Sequence, residues 1–401
     1  MLLHAALGVV AFVVAVVADD KKDLGTVLSG NKNLTKFYEL IKKYPDVLLE
    51  LPSDNGVTIV APSDKAIDKI QYTSLQSSWE PDNKEKTMPF LQYHILNGVV
   101  SAGMLKEGQT YYETTRLVSP TFTNVTTGQG VLVNKQPGSV TFISGQGTRS
   151  TLVQADIPFT GGLIQVVDNI LIPPTLISDT AIAFQAKSFL GSLYAAKLMP
   201  DVAYRKNITV FAPKDDAYNL IGGGLQSLNA SQLARIMKYH IIPDQVLSSN
   251  LLTNGSKLNT LANDPAGKAE QVVVRQDGNN KYIDTAQLIQ PDILIANGIM
   301  HVVANVLNPD TQNDVPNPDI GTQAPVFPVS TVTGAFTSDL PCSTNCPTTT
   351  TGGASSTGTG KGTATTTSSL FSSSSRGGGA RCTGVVGAVG MLGLGAGMAW
   401  I

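Results

Sequence analysis

The chain has 401 residues, 42% of them hydrophobic, and a formal net charge of −2 at pH 7. This length is sufficient for two domains with buried cores and additional tails. The near-neutral charge provides no basic stripe to neutralise phosphates, so nucleic acid is excluded as an expected partner.

The first segment is an apolar run, Leu2 to Val17, which is followed by Asp19 and Asp20. The run is short for a membrane span, and Ala18 offers a small residue for signal peptidase. We therefore predict a signal peptide over residues 1–18. The alternative is a retained membrane anchor.

The next segment shows helical periodicity and then short β-rich runs. Asn33–Tyr44 and Asn83–Leu96 have the apolar spacing of helices, whereas Val57–Ala61 is typical of a buried strand. From Gln109 to Val167, short β-rich runs alternate with turns. Helices and strands within one domain indicate an α+β fold.

The segment that follows repeats this order. We predict a helix over Ala181–Leu198, a strand over Thr209–Ala212 and a helix over Leu233–Ile242. Gln271–Arg275 and Lys281–Thr285 flank turn residues and predict a β-hairpin.

The chain loses its periodicity after Pro309. Prolines predict an extended linker, and a Ser/Thr-rich stretch follows, so we predict a disordered, O-glycosylated stalk over residues 311–375. Small residues precede an apolar tail that ends at Ile401. This layout predicts a glycosylphosphatidylinositol (GPI) signal over residues 376–401, with attachment near Ser373 or Ser374. A C-terminal membrane helix is the alternative. Cys342 and Cys346, in the stalk, are a candidate disulfide.

Three motifs occur twice in the same order and define an internal repeat. A buried strand leads to a proline and an aspartate, a helix ends in Tyr-His, and an Asp-Ile pair precedes a glycine that opens the last strand. The paired residues are Pro62 and Pro213, Asp64 and Asp215, Tyr93 and Tyr239, His94 and His240, Asp156 and Asp292, Ile157 and Ile293, and Gly162 and Gly298.

These motifs resemble the fasciclin domain family. The second copy matches the family's closing motif over Asn297–Pro309, including His301, whereas the first copy has Gly161, Gln165 and Val60 where the family has Asn, His and Phe. The resemblance implies two tandem domains, 20–174 and 175–310, each a curled β-sheet wedge with a helical layer. It also implies that Asp156, Ile157, Asp292 and Ile293 are candidate receptor-contact residues, with a turn and a core isoleucine as the alternative.

No pattern of catalytic or metal-binding residues occurs in the two repeats. His94, His240 and His301 are the histidines outside the signal peptide, and they form no His-x-x-x-His motif. No Gly-x-Ser-x-Gly motif is present either. We therefore predict structural histidines, no cofactor, no metal and no enzymatic activity.

Behind a signal peptide, Asn-x-Ser/Thr motifs predict surface glycosylation. These motifs begin at Asn33, Asn124, Asn207, Asn229 and Asn254. The sequence thus predicts a secreted, GPI-anchored glycoprotein. Its amino-acid composition suggests a fungal wall protein. It would act in adhesion or matrix interaction at the cell surface, with a protein or glycan of the surface or wall as its partner. The alternatives are a lipid- or glycan-binding module on a vacuolar membrane and a hydrolase with an unrecognised site.

Overall fold

The computed structural model describes residues 22–49, 51, 56–311 and 314–341, which all belong to one compact unit. The predicted signal peptide, Cys342, Cys346, Ser373 and Ser374 lie outside the described residues. Within the described part of the chain, no helix has both the length and the hydrophobicity needed to cross a bilayer.

The first domain places short helices before and between its strands. Its helices are α1 (Leu24–Gly30), α2 (Thr35–Lys43), α3 (Asp46–Leu49), α4 (Asp64–Asp68) and α5 (Lys84–Tyr93). Its strands are β1 (Val57–Pro62), β2 (Ile95–Leu96), β3 (Thr110–Thr114), β4 (Gly130–Gln136), β5 (Ser139–Ile143), β6 (Arg149–Phe159) and β7 (Gly162–Val167). Short 3₁₀ helices occupy Lys69–Tyr72 and Gly145–Gly147.

The second domain repeats this order. Its helices are α6 (Ile177–Ala183), α7 (Lys187–Ala195), α8 (Asp201–Tyr204), α9 (Asp215–Gln226) and α10 (Ala230–Tyr239). Its strands are β8 (Ile208–Pro213), β9 (Ile241–Ile242), β10 (Lys257–Asn263), β11 (Ala269–Asp277), β12 (Asn280–Ile283), β13 (Ala286–Ile295) and β14 (Gly298–Val303). The 3₁₀ helices Pro309–Thr311 and Thr337–Asp339 follow.

Each domain has one seven-stranded sheet with the same strand order. The orders are β2-β1-β7-β6-β5-β4-β3 and β9-β8-β14-β13-β12-β11-β10. Only the β1–β7 and β8–β14 pairs are parallel among the strand pairs of the described residues. The predicted α+β fold and tandem repeat are therefore confirmed.

Strand β1 in the first domain and strand β8 in the second each separate two parts of the core. Because successive side chains of a strand point to opposite faces, Val210 packs into the cluster that contains the helices, whereas Phe211 packs inside the curled sheet. Ile59 and Val60 divide in the same way in the first domain. All six residues of β1 and of β8 are buried, which explains their continuous apolar sequence.

The predicted long helix Ala181–Leu198 is wrong, because two helices occupy this segment. The chain turns at Gln185, whose φ is 58°, a left-handed conformation that ends a helix. The carbonyl of Gln185 then accepts a hydrogen bond from the amide of Asp215 at 2.8 Å. The two Tyr-His helices also end earlier than predicted, since Ile95–Leu96 and Ile241–Ile242 pair with β1 and β8 as strands.

Residues 327–340, which we call the strap, differ from the extended linker expected after Pro309. The strap lies along α9, where the amides of Ser330 and Val332 donate to the carbonyls of Leu220 and Asn219 at 2.9 and 3.0 Å. Phe336, at the far end of the strap, is 4% exposed and belongs to the core of the second domain. The strap is therefore part of this domain.

Glycines on two helices provide the space for the strap. A Cβ atom on Gly191 would lie 2.0 Å from the carbonyl oxygen of Phe336, and one on Gly222 would lie 2.5 Å from the Cβ of Ala335. Both distances are far below van der Waals contact, so a larger residue at either position would displace the strap. These glycines explain why the strap docks closely here.

Candidate functional site

The Tyr-His motifs lie at the ends of α5 and α10, where both histidines are completely buried. In the first domain, the Nδ1 atom of His94 lies 2.8 Å from the carbonyl oxygen of Phe90. The amide of Leu171 donates to Nε2 of His94 at 3.0 Å. Because Nε2 accepts, the ring proton resides on Nδ1 and is donated to Phe90.

His240 makes the same contacts in the second domain. Its Nδ1 atom lies 2.8 Å from the carbonyl oxygen of Ile236, and the amide of Leu307 donates to its Nε2 at 2.9 Å. Burial lowers the pKa of both His94 and His240 to about 4. Each neutral imidazole thus joins its helix to the segment that follows the last strand, and neither is placed for catalysis.

The tyrosines of the motif differ in their partners. The hydroxyl of Tyr93 donates to the carbonyl of Gly130 at 2.9 Å, whereas the hydroxyl of Tyr239 lies 2.9 Å from Oδ2 of Asp284. Asp284 also accepts a hydrogen bond from the amide of Val273, and burial raises its pKa to about 6. Sequence reasoning missed Asp284, because one acidic residue beside a hairpin carries no signal of burial.

His301 and Gln165 occupy the same position in the two domains and play the same part. His301 Nδ1 accepts from the amide of Asp292 at 3.1 Å, and its Nε2 lies 2.8 Å from the carbonyl oxygen of Leu247. Gln165 Oε1 accepts from the amide of Asp156 at 2.9 Å, and its Nε2 donates to the carbonyl of Val100 at 2.8 Å. The first domain's departure from the family pattern therefore preserves the hydrogen bonds.

Asp156 and Asp292 lie at bulges in β6 and β13, with φ values of 53° and 60°. Their carboxylates hold a neighbouring loop, since Asp156 accepts from the amide of Ala102 at 3.0 Å and Asp292 from the amide of Ser249 at 2.7 Å. The first domain's Ile157 is half-buried and Ile293 is 4% exposed. The two carboxylates thus bind backbone amides of the same domain, and the two isoleucine side chains are buried or half-buried.

The Pro-Asp motifs connect strands to helices. β1 ends at Pro62 and β8 ends at Pro213, as expected for residues without an amide proton. Asp215 begins α9, but its carboxylate accepts from the amide of Ser188 at 2.7 Å, and Asp64 accepts from Lys36 at 2.8 Å. Each aspartate thus satisfies a free amide in the first turn of a neighbouring helix.

The glycines that open the last strands allow close backbone approach. A Cβ atom on Gly298 would lie 1.8 Å from the carbonyl oxygen of Ile208, and one on Gly162 would lie 2.0 Å from that of Val57. These contacts explain the repeated glycine, which belongs to the scaffold.

A polar seam joins the two domains. Gln129, which is fully buried, donates from Nε2 to the carbonyl of Ile295 at 3.1 Å. Asn207 and Thr126 exchange two hydrogen bonds of 2.9 Å through the Asn207 side chain. Beside these contacts, Leu132 of the first domain packs against Leu294 and Ile299 of the second. The combination of buried amide bonds and apolar packing fixes the two domains to each other.

Gln129→Ala is expected to lower the free energy of unfolding by about 1–3 kcal/mol, because it leaves buried seam groups with fewer partners. We expect calorimetry to show either a lower single transition or its separation into two. Gln136→Ala, at the exposed end of β4, the strand that begins directly after Gln129, is the control and should leave the transition unchanged. An unaltered Gln129→Ala transition would show that the seam does not couple the domains.

The five predicted glycosylation sites fall into two groups. Asn33, Asn229 and Asn254 are exposed. Asn124 and Asn207 are partly buried at the seam, where the amide of Asn207 donates to the carbonyl of Asn124 at 3.2 Å. The side-chain nitrogen of Asn207, to which a glycan would be attached, already donates to Thr126.

The described residues contain no group of three or more His, Cys, Asp or Glu side chains suited to a metal ion. The repeated polar motifs are instead engaged in hydrogen bonds that hold loops and helices to the sheets. The fold and these contacts define a tandem pair of α+β modules that share a fixed seam.

A sequence profile of the fasciclin domain matches residues 32–173 and 184–309. The chain therefore belongs to the fasciclin domain family. Both matched regions end before the strap begins, so the strap lies outside the family match.

Several fasciclin-like proteins are similar over most of the chain. It is 26% identical to "Fasciclin-like arabinogalactan protein" of Arthroderma benhamiae, with 77% of this chain and 73% of the relative covered. It is 25% identical to "Fasciclin-like arabinogalactan protein elcF" of Phaeosphaeria nodorum, with 72% and 88% covered. It is 23% identical to "Periostin" of Homo sapiens, with 66% of this chain and 30% of the relative covered.

A solved FAS1 domain pair from the insect cell adhesion molecule fasciclin I is also similar. It is 18% identical with a TM-score of 0.34, and the match covers 71% of this chain and 99% of the solved one.

Proposed function

We propose that the protein is an extracellular, GPI-anchored glycoprotein that mediates cell adhesion or cell-wall or matrix interaction through its two fasciclin domains. The observation that carries this proposal is the fixed domain pair, in which the repeated polar motifs serve the fold. Membership of the fasciclin family supports an adhesion-type or matrix-type role.

Exposed sequons and tandem domains fit such a role. Asn33, Asn229 and Asn254 are accessible for glycans on the outer surfaces of the two domains. Many anchored copies on one surface raise the effective concentration of weak contacts, so modest affinities can produce firm attachment. A stalk over residues 342–375 would hold the pair away from the membrane.

Beads coated with residues 20–341 are expected to adhere to cells or to wall or matrix material, with adhesion rising more steeply than coating density. Cells that lack the protein should adhere less. Enzymatically deglycosylated beads serve as a control that separates protein contacts from glycan contacts. Absence of adhesion at every density would contradict the proposed role.

The anchor can be tested separately. Phosphatidylinositol-specific phospholipase C should release the protein from membranes, and deletion of residues 383–401 should send it to the medium. Detection of the intact C-terminal peptide in the mature protein would contradict a GPI anchor and favour the membrane-helix alternative.

A further inference from the structure

A cavity of about 410 Å³ lies where the strap crosses α9 and α10. Most of its wall is apolar, and the side chains that form this part are Ile221, Leu225, Leu228, Ile236, Phe327 and Pro328. The volume falls within the range of about 300–1,000 Å³ that is typical of small-molecule sites. Because Phe327 and Pro328 belong to the strap, the strap forms one side of the cavity wall.

The polar part of the cavity wall consists of two charged residues, Arg235 and Asp310, together with Ser227, Gln232 and Ser330. Asp310 accepts from Nη2 of Arg235 at 2.9 Å, and Nε of Arg235 lies 3.2 Å from both carboxylate oxygens of Glu270. Glu270 is buried, whereas the side chains of Arg235 and Asp310 are 33% and 69% exposed. Two carboxylates therefore share one guanidinium.

This charge arrangement selects among apolar ligands. A carboxylate head group would lie beside two existing carboxylates that already offset the positive charge of Arg235, so anionic amphiphiles are disfavoured. A hydroxyl group can donate to Asp310 and accept from Arg235 without adding charge. The apolar wall would hold the remainder of such a ligand away from water.

We propose that the cavity beneath the strap binds an uncharged, mainly apolar molecule that carries a hydroxyl group at the Arg235–Asp310 end. The first domain has a smaller pocket of about 150 Å³ at the corresponding helix, lined by Trp79 and Phe90 among others, but its lining includes no arginine and no carboxylate. The residue that corresponds to Arg235, at the same distance before the Tyr-His motif, is Pro89, and the family's closing motif in that domain is followed directly by α6. The site is thus a property of the second domain and its strap.

The test uses residues 20–341 and the neutral fluorescent probe N-phenyl-1-naphthylamine. The probe is expected to bind, and 1-dodecanol should displace it at lower concentration than dodecanoate at the same pH. Failure of the probe to bind, or stronger displacement by dodecanoate, would overturn the proposal.

Gly224→Leu places a side chain in the cavity. Gly224 lines the cavity, and a Cβ atom there would approach other atoms no closer than 3.9 Å, so the helix can accept the substitution. The variant should reduce probe and alcohol binding by about tenfold or more, because the added side chain fills the binding volume. Gly30→Leu, in open space at the end of α1, is the matched control and should bind as wild type does. Equal binding by both variants would place the probe elsewhere and overturn the proposal.

Asp310→Asn tests the polar end. Removing one of the two carboxylates should reduce the preference for 1-dodecanol over dodecanoate by about threefold, a change consistent with a partly exposed charge. An unchanged preference would show that the Arg235–Asp310 pair does not contact the ligand and would overturn the assigned orientation.

Discussion

Phe336→Ala is expected to lower the free energy of unfolding of the second domain by about 3–5 kcal/mol, the usual cost of truncating a buried aromatic side chain. Phe336 is 4% exposed, and its ring meets that of Tyr218 edge-on, with 6.2 Å between centroids. Urea denaturation of residues 20–341, monitored by circular dichroism, measures the change.

Val329→Ala is the matched control for Phe336→Ala, because Val329 lies in the same strap and is 66% exposed. We expect the control to change stability by less than about 0.5 kcal/mol. A loss below about 1 kcal/mol for Phe336→Ala would show that the stability of the domain does not depend on the Phe336 side chain.

Lowering the pH from 7 to about 4 is expected to destabilise both domains through their buried histidines. The pKa of His94 and of His240 is about 4 in the folded protein, whereas it is about 6.5 in an unfolded chain. Between these values the unfolded state binds more protons, so the stability that each residue provides is complete above pH 6.5 and is lost as the pH falls towards 4. At about 1.4 kcal/mol per pH unit, each histidine accounts for up to about 3 kcal/mol.

Asp284 acts in the opposite direction in the second domain. Burial raises its pKa from 3.8 to about 6, so the folded state binds the extra proton between these values. The stability linked to its protonation is present below pH 3.8 and is lost as the pH rises through 6. Burial also raises the pKa of Glu113 in the first domain, so a partly buried carboxyl group opposes the histidine effect there too.

His301→Gln provides a sharp test of this account. Burial lowers the pKa of His301, and Gln165 shows that a glutamine can make both hydrogen bonds at this position. The variant should be nearly as stable as wild type at pH 7 and should lose less stability at pH 4.5 in urea denaturation. His301→Ala is the contrasting variant and should be destabilised at both pH values. Equal acid sensitivity of wild type and His301→Gln would exclude a contribution from protonation of this residue.

The repeat and its fold could be predicted because the information is local. Val57–Ala61 and Thr209–Ala212 are apolar runs bounded by proline, and both lie within buried strands, β1 and β8. The Tyr-His helices end several residues before the positions that the sequence predicts. The reason is that Ile95 and Ile241 continue the apolar pattern of the helices but pair with a distant strand. Periodicity alone does not distinguish these two outcomes.

The strap and the seam depend on contacts between residues that are far apart in sequence. The strap's two aromatic residues, Phe327 and Phe336, lie in a segment rich in small and polar residues, a composition that usually indicates a linker. The strap docks where Gly191 and Gly222 leave space on their helices. The sequence pattern of a helix does not indicate that such glycines contact a distant segment. Gln129 likewise has no local signal of its role in the seam, since its partners in the second domain lie more than 160 residues away.

The position of the strap has a mechanical consequence. A pull applied from the C-terminal side of the described residues reaches residues 327–340 before it reaches the sheet of the second domain. Peeling these residues from α9 would lengthen the chain by up to about 48 Å while β8 and β14 stay paired. It would also remove Phe327 and Pro328 from the cavity wall. We therefore expect the strap to detach first under load. Its detachment would extend the chain while the two domains stay folded, and it would open the cavity.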